Sequence, residues 1–530
     1  MARRTATADR GTGDVPDGSA SSGRTLLPAV LAVVGVAAGL VVGALAGSGA
    51  SPVLIAVALA SPVVLVATLV RPSLGLLVLV FIVFTHLSDV AVGVHGTPSV
   101  LQPYLLLLLA AVLMHVAWER RLPDGLGTPA LLLLSYGIVL SLGLFFVRDR
   151  GPTAFALNTY LRDAVVALLV VALLRTGRHL ERTVWVIVLS GGALAALGVV
   201  QYVTGSFSNE FGGFAQASIK NIASGQDDFR ISGPIADPNH WAQALLVVSA
   251  LALGRARRSR TWQVRWLAAG VLLASVLAIV FSFSRGALVA LALTAVIGVC
   301  LRPPPAWSLA LLGVVAVLAL PLLPAGYVDR LGQLAQAVPG ISDGRTGEAS
   351  LSGRFSALIA GRDMALDQPL LGVGAGQFAA RYREYSLGLG IDTTEGGVQP
   401  HNMYLEVAAE TGYVGLLTWG AVLGVTLQRL YRGRMALRRR GRLHEAGLLE
   451  DLALGLVAYL LGGLFVHNAY PRLYWLLIGT ALATPAVVQS VLAARDGAGP
   501  PTDVGQVHGP GPSALIAAHA GSGRRAAALR

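Results

Sequence analysis

Charge is scarce in this chain. Of its 530 residues only 13% are Asp, Glu, Lys or Arg, about half of what a soluble globular protein carries. A surface facing water on all sides would need more, which excludes an ordinary soluble enzyme. Lysine is almost missing: Lys220 stands alone and arginine supplies the positive charge. Cysteine is nearly absent too. With Cys300 alone, no intrachain disulfide forms. Cys300 lies in an apolar run and is expected to fill the core. The chain also lacks an HExxH pair and any clustered Cys/His set, so neither a catalytic metal nor a cofactor is expected.

What the chain has is apolar length. Hydrophobic residues make up 54% of it, and apolar runs recur from residue 26 to residue 492, long enough to cross a bilayer core of roughly 30 Å. The runs are continuous rather than alternating, which excludes a β-barrel. The expected fold is all-α: a polytopic integral membrane protein with about 14 transmembrane helices, centred near residues 36, 61, 82, 109, 138, 164, 193, 247, 274, 293, 315, 415, 457 and 482. The first run is too long for a signal-peptide core, and its Gly35, Gly39 and Gly43 mark a close-packing face.

The net charge of +12 does not point to nucleic acid, because the arginines gather in short loops between apolar runs. "RTGRHLER" (175–182), "GRARRSR" (254–260), "LRPPP" (301–305) and "QRLYRGRMALRRRGR" (428–442) all fall on one side once the amino terminus is placed in the cytoplasm, as the positive-inside rule requires. The division that follows is a disordered cytoplasmic N-terminus (1–25), N-terminal membrane helices (26–203), an extracytoplasmic loop (204–239), membrane helices with a hairpin (240–323), a large extracytoplasmic loop (324–402), C-terminal membrane helices (403–492) and a disordered cytoplasmic tail (493–530). Both termini are then cytoplasmic.

The hairpin is needed because the run from Trp266 to Leu301 would extend roughly 52 Å as one helix. "SFSRGAL" (282–288) divides it, with Ser284-Arg285-Gly286 at the outer tip, since an arginine at the bilayer centre costs at least ~2.5 kcal/mol. On that outer face Arg285 meets Arg230 in "DDFRISGPIADPNHWA", Arg354 in "SLSGRFSALIAGRDMAL" and His401 in "PHNMYLEVAAETGY". Arg162 and Asp163 sit two turns into a span, and His467 and Arg472 flank the last external turn; His467 is read as interfacial. His86, His95 and His115 are read as structural. Arginine offers a planar fork of donors for phosphate oxygens, and histidine is poised to take a proton near neutral pH. The combination suits transfer from a phosphate-activated lipid to a hydroxyl. "GVGAGQF" (372–378) has neither the context nor the spacing of a nucleotide-binding loop. "RFSALIAGRDMAL" (354–366) has helical periodicity and is expected to lie along the outer surface, over a groove for the donor.

Three segments, "FSFSRGALVALAL" (281–293), "SGRFSALIAGRDMALDQPLLGVGAGQF" (352–378) and "HNMYLEVAAETGYVGLL" (401–417), resemble in order and spacing the O-antigen ligase/polymerase (Wzy-type) family, with "RISGPIADPNHWAQALL" (230–246) similar to its preceding external segment. The likeness runs from about 185 to 480. It implies a metal-independent GT-C-like glycosyltransferase of the bacterial plasma membrane. Its active site would be extracytoplasmic, and it would move a glycan from an undecaprenyl-diphosphate donor to a glycan or lipid-linked acceptor, with inversion. Carried over by motif position, His401 becomes the base, Arg285, Arg230 and Arg354 bind the diphosphate, and Asn402, Glu410 and Ser284 support them. A chain-length regulator is a further partner such a polymerase can take. Polymerase and ligase share these motifs and differ only in the acceptor. The competing class is a transporter or flippase of lipid-linked glycans, which would place polar groups at the bilayer midplane in two related halves.

Overall fold

A computed structural model of the chain describes residues 52–223, 226–303, 349–387, 398–467 and 471–496. Apolar runs that face lipid must satisfy their own backbone hydrogen bonds, and helices do so within one segment. The described elements are accordingly almost all helical. Helices α1 (Pro52–Val70), α2 (Pro72–Phe84), α3 (Leu87–Gly93), α4 (Leu101–Glu119), α5 (Gly127–Leu142), α6 (Arg150–Leu173) and α7 (Gly177–Val203) come first. A hairpin of β1 (Gln216–Ala223) and β2 (Gln226–Gly233) follows, then α8 (Pro238–Arg258), α9 (Trp262–Phe281) and α10 (Arg285–Leu301). The remainder is α11 (Ala349–Asp367), α12 (Phe378–Ser386), α13 (Met403–Arg439), α14 (Leu443–Gly462), α15 (Arg472–Leu482) and α16 (Thr484–Asp496).

Among the described residues six helical stretches are long and apolar enough to cross a membrane, or seven if the bent pair α2–α3 is one span. Twelve of the fourteen expected centres fall within helices, whereas those near 36 and 315, with Gly35, Gly39 and Gly43, lie outside the described residues. The helices pack around α8 and α15. In α15 every residue from Leu473 to Leu482 is buried, and α8 buries Trp241 together with an unbroken stretch from Ala242 to Ala252. Aromatic rings lock α15 to its neighbours: Trp475 stands edge-on to Tyr160 of α6 at 5.1 Å, and Tyr474 stacks on Tyr459 of α14 at 5.7 Å. The outer faces stay apolar, with Leu106 68%, Phe155 72% and Leu273 60% exposed. That pattern is favourable where the surrounding solvent is lipid.

Two expectations are corrected, and one small element is added to the helical fold. The all-α fold carries one antiparallel hairpin inside the 204–239 segment, with Ser218 opposite Arg230. Phe229 stacks on Phe207 at 4.2 Å, and Tyr202 at the end of α7 stacks on Phe281 at the end of α9, also at 4.2 Å. The hairpin therefore sits on the ends of the bundle rather than trailing as a loop. The turn dividing the long apolar run lies at Ser282–Ser284, two residues earlier than expected, so that Arg285 is already the first residue of α10. Cys300 is exposed on α10 instead of filling the core.

Candidate functional site

Three turns meet at the end of the bundle that carries the hairpin. One joins β2 to α8, the second joins α9 to α10, and the third is the segment 463–467 after α14. Each of the first two contains a non-glycine residue held at positive φ, Ala236 at 60° and Phe283 at 51°. His401, which precedes α13 beside the third turn, has φ 47°. Such conformations cost about 1 kcal/mol or more apiece and persist only where the surroundings hold them.

The holding groups are visible. Asp237 caps α8, its Oδ1 accepting from the amides of Asn239 at 2.8 Å and His240 at 3.0 Å. Ser284 caps α10 by accepting from Ala287 N at 3.4 Å. Asn402 caps α13, accepting from Tyr404 N at 3.0 Å and Leu405 N at 2.9 Å, while its Nδ2 donates to Leu464 O at 3.2 Å. Met403 N adds a bond to Gly463 O at 2.8 Å. Arg230 joins the first two turns: Nε donates to Ser282 O at 2.8 Å and Nη2 to Asn239 Oδ1 at 3.2 Å. At Gly286 a Cβ would stand 2.4 Å from Cβ of Phe465. Only glycine lets the start of α10 close on the third turn, and Arg285 is thereby carried to the same place.

At this junction three histidines form a row. The rings of His240 and His467 are 5.0 Å apart and those of His467 and His401 5.5 Å, both edge to face. His240 Nε2 lies 3.1 Å from the carbonyl of His467. A carbonyl only accepts, so Nε2 carries the proton and Nδ1 turns toward Asp237, 3.7 Å away. Burial pushes the His467 imidazole down to about 3, helped by His240 and His401 on either side. For Asp237, burial acts upward but is outweighed by His240 and by the two amides it caps, which leaves the carboxyl below its usual range. The middle histidine of the row is therefore neutral, and the carboxylate behind the first is charged.

A pH dependence follows. His467 stays neutral in the folded chain down to about pH 3, whereas an unfolded histidine takes a proton near pH 6.5. The unfolded state binds more protons in that window, so stability is complete above it and falls as the pH drops. Thermal unfolding in detergent from pH 7.5 to pH 4.5 should show a declining melting temperature, with a shallower decline for His467→Gln.

The expected residues divide between two regions. Arg230, Arg285, Ser284, His401 and Asn402 belong to the three-turn junction. Glu410 does not. It is 3% exposed, and its carboxylate accepts from the backbone amides of Gly376 at 2.8 Å and Phe378 at 3.1 Å. It is the receptor for the glycine-rich segment 372–378, which it holds through those two amides. Arg354 is half-buried on α11. That helix reaches Leu405 of α13 with Gly361, two turns beyond Arg354, and packs through Ala357, Ala360 and Met364 against Phe378, Tyr382 and Ala409.

His240 is not among the residues expected from the sequence, and His467 is expected there as interfacial; both stand in the row with His401. A signal for His240 exists. Asp-Pro at 237–238 specifies an N-cap and first helical residue, which fixes His240 in the first turn of α8 at the membrane surface. The other polar groups have separate roles. Arg472 donates through Nη1 to both oxygens of Asp89 at 3.1 Å and holds Nε 3.8 Å from the fully buried Asp163. Arg162 instead bonds Asn158. His86, His95 and His115 lie against Asp89, Gly212 O and Ala111 O at 3.0, 3.0 and 2.8 Å. Among the described residues no group of three or more His, Cys, Asp and Glu side chains is placed to hold a metal ion.

Residues 269–420 match a family model described as O-antigen ligase. The match is narrower than the 185–480 resemblance, yet it contains Arg285, Arg354, His401 and Glu410. Arg230, His240 and His467 lie outside it. No curated protein matches the chain.

Proposed function

With residues 269–420 read as an O-antigen ligase segment in a membrane protein, we propose that the chain transfers a glycan from a polyprenyl-diphosphate donor to an acceptor hydroxyl. The reaction belongs to surface polysaccharide assembly and takes place at the extracytoplasmic face of the bacterial plasma membrane. One observation carries this reading: His401 stands at the junction where the turns bearing Arg230 and Arg285 are tied together. A base and two permanent cations are thereby offered to one substrate.

In the proposed step His401 takes the proton of the acceptor hydroxyl. The oxygen forms a bond to the anomeric carbon from the face opposite the diphosphate, and the bond from that carbon to the diphosphate oxygen breaks with its electron pair. The diphosphate leaves bearing the added negative charge, which Arg230 and Arg285 stabilise, with Arg354 as a third cation. The proton on His401 passes to solvent. A neutral His467 helps, because a charged ring 5.5 Å away would oppose formation of the imidazolium. Asn402 and Ser284 act by capping the helices that present His401 and Arg285. The helix α11 is the proposed cover for the donor groove, where exclusion of water favours transfer over hydrolysis.

The test is incubation of the purified chain in nanodiscs with polyprenyl-diphosphate oligosaccharide from its own host. A ladder of longer lipid-linked glycans identifies a polymerase, and a single transfer to an added host acceptor identifies a ligase. Unchanged glycan together with lipid crossing a vesicle membrane would overturn the transferase and favour the transporter. In the same assay Arg285→Lys keeps the charge but loses the planar fork. Its KM for the lipid-linked donor is expected to rise about tenfold, the equivalent of roughly 1.4 kcal/mol, with a smaller change in kcat.

A further inference from the structure

At the other end of α8 the chain carries a second concentration of charge. His240 and Arg258 lie on the same helix, roughly 27 Å apart along its axis, so this region is at the membrane end opposite the histidine row. Two adjoining cavities of about 700 and 460 Å³ open there, sharing Arg258, Arg260, Leu443 and His444 in their walls. Seven arginines line them against three glutamates, and Asp451 adds a fourth carboxylate by contact with Arg258. Positive charge is therefore in excess even with every acid ionised. Arg302 and Arg434 both converge on Glu450, at 2.7 and 3.0 Å, and share one countercharge.

Arg255 is a cation of this region with unmet donors. It is only 4% exposed and lines the larger cavity. Its Nη2 donates to Glu181 at 2.6 Å and its guanidinium lies over the Trp185 ring at 5.0 Å, but Nε and Nη1 have no hydrogen-bond partner. Leaving buried donors of a charged group unmade is costly. Phosphate oxygens are the acceptors whose spacing a guanidinium fork matches.

The wall of the larger cavity continues directly into the membrane. Ser259, Arg260 and Thr261 line it, and the next residue begins α9, a membrane-spanning candidate. Trp262 and Trp266 are each 68% exposed at that entry, followed by exposed Leu267 and Leu273. Exposed tryptophans followed by apolar surface mark the headgroup level of a bilayer. We propose that this cavity binds the phosphate of an anionic membrane lipid, whose acyl chains lie along the outer face of α9. The assignment does not depend on the transferase reading.

Native mass spectrometry of the full chain, released from nanodiscs of mixed phosphatidylglycerol and phosphatidylcholine, tests it. Wild type is expected to retain phosphatidylglycerol selectively and to melt at a higher temperature in phosphatidylglycerol than in phosphatidylcholine alone. Arg260 is exposed in the wall of both cavities and Arg438 in that of the smaller, adjoining one, so Arg260→Gln with Arg438→Gln should leave the fold intact by circular dichroism. Retention should weaken roughly thirtyfold if each surface arginine is worth about 1 kcal/mol. Equal retention of the two lipids, or equal retention by wild type and the double variant, overturns the site. If millimolar inorganic phosphate in neutral lipid stabilises the chain as much as phosphatidylglycerol does, the lipid assignment is overturned in favour of a soluble phosphate. Should the double variant misfold, the wild-type contrast between the two lipids decides alone.

Discussion

His401→Ala is expected to lower glycan transfer about 10²- to 10⁴-fold, the range that removal of a positioned base commonly costs, with little loss of folded protein. The fold is expected to survive because the turn keeps its backbone anchors. Asn402 caps the helix with two amides, and Met403 N bonds Gly463 O. A purely structural histidine would behave differently, and His401→Gly separates the cases. Glycine accepts φ 47° without the steric penalty of a side chain, so this variant should be more stable than the alanine variant and as inactive. Wild-type activity should fall in acid as the base takes a proton, while the residual activity of either variant should lose that limb. Transfer within twofold of wild type by His401→Gly would remove His401 from the chemistry and leave it as a turn residue.

Much of this end of the molecule was legible in the chain before its structure. Apolar run lengths located the helices, because lipid leaves the backbone no other economical partner. The cost of an arginine in hydrocarbon located the break before Arg285. His-Asn at a loop-to-helix boundary marked a cap, and Asn402 holds the first turn of α13. What escaped was set by contacts between distant segments. His240 is bland within "DPNHWA", and it acquires meaning only when the carbonyl of His467, 227 positions away, arrives against its ring. The β-hairpin was hidden because Phe229 stacks on Phe207, which meets Tyr202 at the end of α7, a tertiary cause with no local period. Cys300 was misplaced for a related reason: in an apolar helix of a membrane protein, lipid-facing and core-facing positions have the same composition, so hydrophobicity no longer reports burial.

Glu410 shows the same limit and leads to the second large effect. Two backbone amides hold its carboxylate, and backbone partners leave no trace in a sequence. The helix around it is broken: Gly412 adopts φ 62° and ψ −165°, and a Cβ there would stand 2.4 Å from Leu370 backbone. In an unbroken helix Tyr413 N and Val414 N would bond Ala409 O and Glu410 O. Instead those two amides donate to Pro369 O and Leu370 O at 2.7 and 3.2 Å, and the two carbonyls accept from Val373 N and Gly374 N at 2.9 and 3.0 Å. One loop thus replaces both missing rungs of the helix, and the Glu410 carboxylate fastens its far side at Gly376 and Phe378. Glu410→Ala leaves two amides without their charged acceptor in a buried place. At roughly 1.5–3 kcal/mol per hydrogen bond to a charged group, a loss of about 3 kcal/mol or more is expected. Glu410→Gln, which keeps one acceptor oxygen and loses the charge, should fall between. Hydrogen exchange should report the damage locally, as faster exchange at Gly376 and Phe378 and along α11, which packs on Phe378 and Ala409. Exchange unchanged at those amides would show that the inserted backbone rungs hold the loop without the carboxylate. Because α11 carries Arg354 and is the proposed cover of the donor groove, transfer should fall with the loop even though Glu410 lies away from the three-turn junction. A Glu410→Ala protein that loses protection on α11 but transfers glycan at the wild-type rate would free the cover from any part in the reaction.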